Sequence, residues 1–315
     1  MRLRRCSGIL NAVLHPLLSP EVADAVAAGR PVVALESTIF SNLGLPSPSN
    51  REALDRCIAA IRDAGAVPAV TAVLDGVPRV GLEDAEYPRI LGNARKAAER
   101  DVPVAIAQRW EFAATTVSAS CALAHAAGIN VFATGGIGGV HRGAETTGDI
   151  SADLDAIANH PVVTVCAGAK AFLDLARTLE YLETFGVPVL GWRHDWFPAF
   201  YTRSSGLAIP HRVDAASTVA DVLANLARPQ TGVLVAVPIP VDDELPPDEM
   251  NAVLGGALDE ADRAGIIGAA VTPFVLARIA DATAGRSIPA NLALATNNAA
   301  VAAQIAVAIA ERPIS

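Results

Sequence analysis

Lysine is almost absent from this chain: of 24 Lys plus Arg residues, only Lys96 and Lys170 are lysines. Arginine stays protonated and cannot act as a nucleophile, whereas a lysine amine can lose its proton when desolvated or set near other cations. The two lysines are either remnants of an arginine-rich composition or groups kept for work a guanidinium cannot do. Aromatic residues make up 4% of the chain, so a core must come from close packing of Ala, Val, Leu and Ile. The four cysteines (Cys6, Cys57, Cys121, Cys166) have no CxxC spacing, and the last three lie in apolar contexts. That pattern excludes a disulfide framework or a cysteine zinc site and points to a reduced, cytoplasmic protein. No basic run follows Arg2 to Arg5 and the net charge is -9, which argues against a nucleic-acid polymer but leaves room for a small phosphorylated ligand. No apolar run reaches the length expected of a membrane span.

What is present is an alternation of strand-like and helix-like segments. Residues 1–18 read as an N-terminal extension, a short leader or a misassigned start, because Asn11 and His15 interrupt the apolar part and no small-residue cleavage site follows. Ser19-Pro20-Glu21 then starts a helix, with Ser19 as cap. Strands are expected over 31–35, 67–74, 77–82, 102–107, 131–134, 162–166, 187–191 and 232–237. Helices are expected from Ser49 or Asn50 to 64, from 114 to 127, from Lys170 to 182, over 215–226, and through most of 241–315. This alternation predicts one α/β domain, 19–315, a three-layer α/β/α arrangement with a mostly parallel, mixed central sheet. The loop 192–205 holds two of the three tryptophans, which points to a lid or a subunit contact.

Ligands of such sheets collect at the carboxyl ends of the strands. Three chemistry-bearing features fall there. Glu36 follows the apolar run 31–35 and is either paired structurally or used. Four glycines (Gly135, Gly136, Gly138, Gly139) follow Thr134, in reach of His141, Glu145, Asp149 and Asp153. Glycines at a strand end open backbone angles closed to other residues and let a ligand approach the peptide. Lys170 closes the Ala167-Gly168-Ala169 turn after the next strand. The glycines do not form a dinucleotide fingerprint, since His141-Arg142-Gly143 and acidic residues follow them where an apolar helix face is required. Glu145, Asp149 and Asp153 are spaced by fours and suit a hard divalent ion, or are a solvated acidic turn. Thr115 and Thr116 at a helix start make an anion site or an ordinary cap.

Five segments carry a family resemblance: VVALESTIFSN (32–42), VPAVTAVLDGVPRVGL (67–82), FATGGIGGVHRGAETTGDISADL (132–154), VCAGAKAFLDLARTLEYLETFGVPVLG (165–191) and ATNNA (295–299). They resemble the pseudouridine-5'-phosphate glycosidase family, also called the indigoidine synthase A-like family, over roughly residues 19–311. The resemblance implies reversible cleavage of the carbon–carbon glycosidic bond of pseudouridine 5'-phosphate to uracil and ribose 5-phosphate. It also implies a divalent ion, typically Mn2+ with Mg2+ or another as substitute, and a homotrimer in the cytoplasm. On this resemblance Lys170 is the Schiff-base nucleophile, held uncharged by burial and by Lys96 or the metal. Glu36 is the proton donor and Asp149 the metal ligand. Lys96, Val117, Ser151, Ala152 and Asp153 bind substrate, Thr115 and Thr116 help Lys96 hold the phosphate, and Thr134, His141, Asn297 and Asn298 line the pocket. Two loops depart from the family pattern, SNLGLP (41–46) and QRWEF (108–112). Another Schiff-base lyase acting on a sugar phosphate, or a non-catalytic sugar-phosphate-binding protein, is the alternative.

Overall fold

The computed structural model describes residues 14–266 and 271–312. The chain begins with β1 (Leu17–Leu18), α1 (Pro20–Ala27), β2 (Val32–Leu35), α2 (Ser49–Asp63), β3 (Val67–Leu74) and β4 (Val77–Val80). It continues through α3 (Tyr87–Ile90), β5 (Arg95–Ala97), α4 (Val102–Ala107), β6 (Phe112–Thr115), α5 (Val117–Ala126) and β7 (Val131–Ala133). Next come α6 (Ala144–Thr147), α7 (Ala152–Asn159), β8 (Val163–Cys166), α8 (Leu175–Thr184), β9 (Val189–Trp192) and β10 (His211–Val213). The remainder is α9 (Ala216–Ala224), β11 (Val233–Ala236), α10 (Pro247–Arg263), α11 (Val271–Ala282) and α12 (Ser287–Ala310).

The sheet runs β1-β4-β3-β2-β7-β8-β11-β9-β10, with β6 joining β3 and β5 off this path. From β2 through β10 every pairing is parallel, and β3 pairs antiparallel with β4 and β6. The mixed, mostly parallel sheet with flanking helices agrees with the sequence reading. Strands β2, β7, β8 and β11 are buried along their whole length, as expected of parallel strands covered on both faces. Fully buried Phe132, Ile137, Leu154 and Leu234 fill the centre of the core. Each such side chain contributes about 1.5–3 kcal/mol by leaving water.

Several expectations are corrected. Residues 102–107 form helix α4, not a strand: Pro103 sits at its start, where a missing N–H costs nothing, whereas in a strand it would remove a ladder bond. The segment before α5 is not yet helical, because Phe112–Thr115 is strand β6 and α5 begins only at Val117. Neither Ser49 nor Asn50 caps α2; the Asn50 side chain instead donates to the carbonyls of Phe40 (3.0 Å) and Leu91 (3.1 Å). After Lys170, helix α8 starts late, at Leu175, capped by the Asp174 side chain. Leu17–Leu18, placed in the extension, pair with β4; residues 1–13 lie outside the described residues. The loop 192–205 is packed inward, with Phe197, Phe200 and Tyr201 buried and Trp196 exposed, so it forms a wall of the core and not a lid. Contrary to expectation, α12 is long and apolar enough to cross a membrane by length and composition, but it packs against α2, α9 and β7 with much of its surface buried. Asn297 and Asn298 lie inside this helix and do not separate two others.

Candidate active site

Strands β2, β7 and β8 are consecutive neighbours in the sheet and parallel, so their carboxyl ends open at the same edge. Glu36, Thr134 and the turn leading to Lys170 follow these three ends directly. Glu36 is 8% exposed, and the Thr134 hydroxyl donates a short hydrogen bond to its Oε1. Burial raises the pKa of this carboxyl, while Lys170, the Thr134 hydrogen bond and Lys96 partly offset it. A small internal cavity, lined by Glu36, Ile39, Phe40, Thr134 and Gly135, adjoins the carboxyl.

Thr134 is itself held from the other face. The Asn298 side-chain amide donates to Thr134 O (2.8 Å) and Gly135 O (3.2 Å), and its Oδ1 is buried with no partner among the described residues. Asn297 donates to Pro238 O (3.4 Å), at the end of β11. The peptide of Lys170 is tied to the glycine turn, since its N–H donates to Ile137 O (3.0 Å) beside the Ile137–Ala169 bridge.

The four glycines serve packing more than backbone freedom. None of them has positive φ, and a methyl group at Gly138 would collide with Ser151 and Asp153, one at Gly136 with the Phe200 ring. At Gly136 and Gly138 the space beside the backbone is therefore taken by the protein's own side chains, while a methyl group at Gly135 would meet only ordinary contacts. Asp153, 5% exposed, accepts from Gly138 N (2.8 Å) through Oδ2 and from Ser118 N (3.0 Å) through Oδ1. It binds the glycine turn to the first turn of α5. Ser151 caps α7, accepting from Asp153 N (3.2 Å), with Ala152 exposed as the first helical residue.

The triad spaced by fours does not share a face. Glu145 lies on α6 and pairs with Arg177 on the surface, Asp153 is buried as described, and Asp149, 39% exposed, faces His141. Its Oδ2 lies 3.8 Å from His141 Nδ1, and His141 N donates to Asp149 O (3.0 Å). The His141 pKa is lowered, first by burial and then by Lys170 and Lys96, against the opposite pull of Asp149. Lys96 lies on β5 with an exposed side chain; partial desolvation, then Lys170, lowers its pKa. Lys170 and Lys96 both act electrostatically on Glu36 and on His141.

Thr115 departs most from its expected role. Fully buried, its hydroxyl is engaged with Thr71 and Ser37, so no free hydroxyl faces a phosphate there. Thr116 bonds Ser118 Oγ (3.0 Å) and gives no side-chain cap to α5, and Val117 is buried at the helix start. Asn42, in the departing SNLGLP loop, accepts from Ala94 N (2.9 Å) and fixes the approach to Lys96. A larger cavity of about 610 Å3, lined by Arg142, Ala171, Leu173, Asp174, Met250 and others, lies beside the Lys170 turn but does not reach Glu36.

The match to the Indigoidine synthase A like protein family covers residues 21–308. The chain belongs to the indigoidine synthase A-like family. It is 53% identical over 302 residues to a pseudouridine-5'-phosphate glycosidase of Methylobacterium nodulans, covering 94% of this chain and 89% of that relative. It is 50% identical over 300 residues to one of Solibacter usitatus, covering 93% and 99%. Among solved structures, the prealnumycin C-glycosynthase AlnA in complex with ribulose 5-phosphate superposes with a TM-score of 0.86 at 37% identity, over 93% of this chain and 96% of the other. An indigoidine synthase A-like protein from Thermotoga maritima gives 0.82 at 34%, over 90% and 94%.

Proposed function

We propose that this family member cleaves the carbon–carbon glycosidic bond of pseudouridine 5'-phosphate with water, reversibly, to uracil and ribose 5-phosphate. The observation that carries the reading is the placement of one buried, protonatable carboxyl and one lysine at the ends of strands separated only by β7. The names of relatives at about half identity support the substrate.

A carbon-linked base cannot be released by simple protonation, so the chemistry is divided into steps. The Lys170 amine, as free base, bonds to the anomeric carbon while the bond from that carbon to the ring oxygen breaks. Glu36 gives that oxygen its proton, a role that the upward shift of its pKa by burial favours. The lysine nitrogen, now cationic, gives up a proton; its freed electron pair forms an iminium as the carbon–carbon bond breaks, and the departing pair on uracil takes up that proton. Water adds to the iminium, returning the free amine and releasing open-chain ribose 5-phosphate. His141, whose pKa burial lowers, would accept or pass a proton. Lys96, the Thr116 hydroxyl and the helix starts at Val117 and Ala152 would hold the phosphate, and Asn297 and Asn298 the base.

A divalent ion, Mn2+ or Mg2+, would sit at Asp149. Among the described residues no three His, Cys, Asp or Glu side chains form a cage. A partly exposed carboxylate with one histidine beside it fits a hard ion that keeps most of its waters. Such an ion supplies positive charge beside the substrate. A homotrimer in the cytoplasm completes the proposal.

Free uracil measured by chromatography after incubation with pseudouridine 5'-phosphate and manganese tests the reading; binding of ribose 5-phosphate with no uracil released overturns it. The resemblance to a C-glycosynthase favours a second reading, the same lysine chemistry on another carbon-linked partner.

A further inference from the structure

Strand β3 changes partners half-way along. Val67–Val70 runs parallel to β2, and Ala72–Leu74 runs antiparallel to β6, leaving Thr71 at the switch. The ladder of β2 ends at Leu35, so Glu36, Ser37 and Thr38 lie beyond strand pairing. There the Thr38 amide donates to Thr115 O (3.3 Å), and side-chain hydroxyls supply the other ties. Thr71 Oγ1 donates to Leu35 O (3.1 Å) and lies 2.8 Å from Thr115 Oγ1 and 2.9 Å from Ser120 Oγ. Thr115 Oγ1 lies 3.1 Å from Ser37 Oγ, which accepts from Thr115 N (3.0 Å). Thr38 Oγ1 donates to Thr115 O (2.7 Å). Thr115 Oγ1 also donates to Thr71 O (2.8 Å), so every hydroxyl of the chain has at least one partner.

Ser37, Thr71, Thr115 and Ser120 are fully buried. Buried hydroxyls cost stability unless every one is satisfied, and valine would fill a strand position such as Thr71 without that demand. The chain therefore calls for a role other than packing. We propose that Thr71 is a positioning residue for Glu36: its hydroxyl pins the Leu35 peptide directly and Ser37 through Thr115. Both neighbours of the acid are then fixed from behind while its carboxyl stays bonded to Thr134. This rests on the reading of Glu36 as the proton donor.

The test compares Thr71→Val, which keeps shape and removes the hydroxyl, with Thr71→Ser, which keeps the hydroxyl, and with Ser120→Ala, which removes the outer rung. Amide exchange is read at Ser37 and Thr38 and uracil release in steady state. Thr71→Val speeds that exchange and lowers kcat, each by about tenfold, with KM within about twofold. Thr71→Ser restores both, and Ser120→Ala leaves both near wild type. Unchanged exchange in Thr71→Val, faster exchange with wild-type kcat, or a serine variant as impaired as the valine one overturns the proposal. A wild-type protein that releases no uracil overturns the proposed substrate instead, and the exchange data still decide whether Thr71 holds the segment.

Discussion

Replacing Glu36 by glutamine separates its chemical role from its structural one. The amide keeps the size of the side chain and still offers Thr134 an oxygen, so the hydrogen bond at the strand end survives. It cannot give up a proton to the ribose ring oxygen, and a positioned general acid contributes ~100- to 10,000-fold, about 3–5 kcal/mol of barrier. The same burial acts on stability with a definite sign. The folded carboxyl has a pKa above its ordinary 4.5, so between that value and the raised one the folded state binds more protons than the unfolded chain. Wild-type stability therefore falls as pH rises through this window, and the variant lacks that fall. In steady-state uracil release against pH, the wild type loses kcat as Glu36 deprotonates, while the variant is slow at every pH. Its melting temperature at alkaline pH equals or exceeds that of the wild type. A glutamine variant with kcat within twofold of wild type refutes Glu36 as the acid.

Lys96→Met removes a cation from the phosphate side and raises KM by about ten- to a hundredfold, with a smaller effect on kcat, measured by initial rates. Asp153→Asn keeps one acceptor where the wild type offers two to Gly138 and Ser118 amides, and lowers unfolding free energy by about 1–3 kcal/mol in urea titrations. Asp149→Asn weakens manganese binding by calorimetry and removes the response of activity to the ion; unchanged affinity places the ion elsewhere.

The strand-end positions of Glu36 and Lys170 were legible because both stand just beyond apolar runs, and strand ends are where a parallel sheet exposes chemistry. The scarcity of lysine singled out Lys170 and Lys96 without any structure. Less legible was whatever depends on contacts distant in sequence. VPVAIA is too short for its apolar pattern to separate strand from helix, and α4 emerges only because Pro103 cannot serve a ladder. Thr115 looks like an anion ligand in one dimension, but β3 brings Thr71 against it from 44 positions away. The spacing of Glu145, Asp149 and Asp153 would give a shared face only on a continuous helix, which the glycines of the segment already make doubtful. Left-handed Gly143 and Gly148 break the helix that would have provided one. Asp153 is then drawn inward by two backbone amides, a demand that no spacing reveals.

The central claim is that the amine of Lys170 bonds covalently to the sugar. Incubation with ribose 5-phosphate, reduction with borohydride and mass measurement of the digested peptides test it most directly. The account predicts a reduced ribose phosphate adduct on the peptide holding Lys170. A protein that releases uracil from pseudouridine 5'-phosphate while that peptide stays unmodified, or carries its adduct at Lys96, contradicts it.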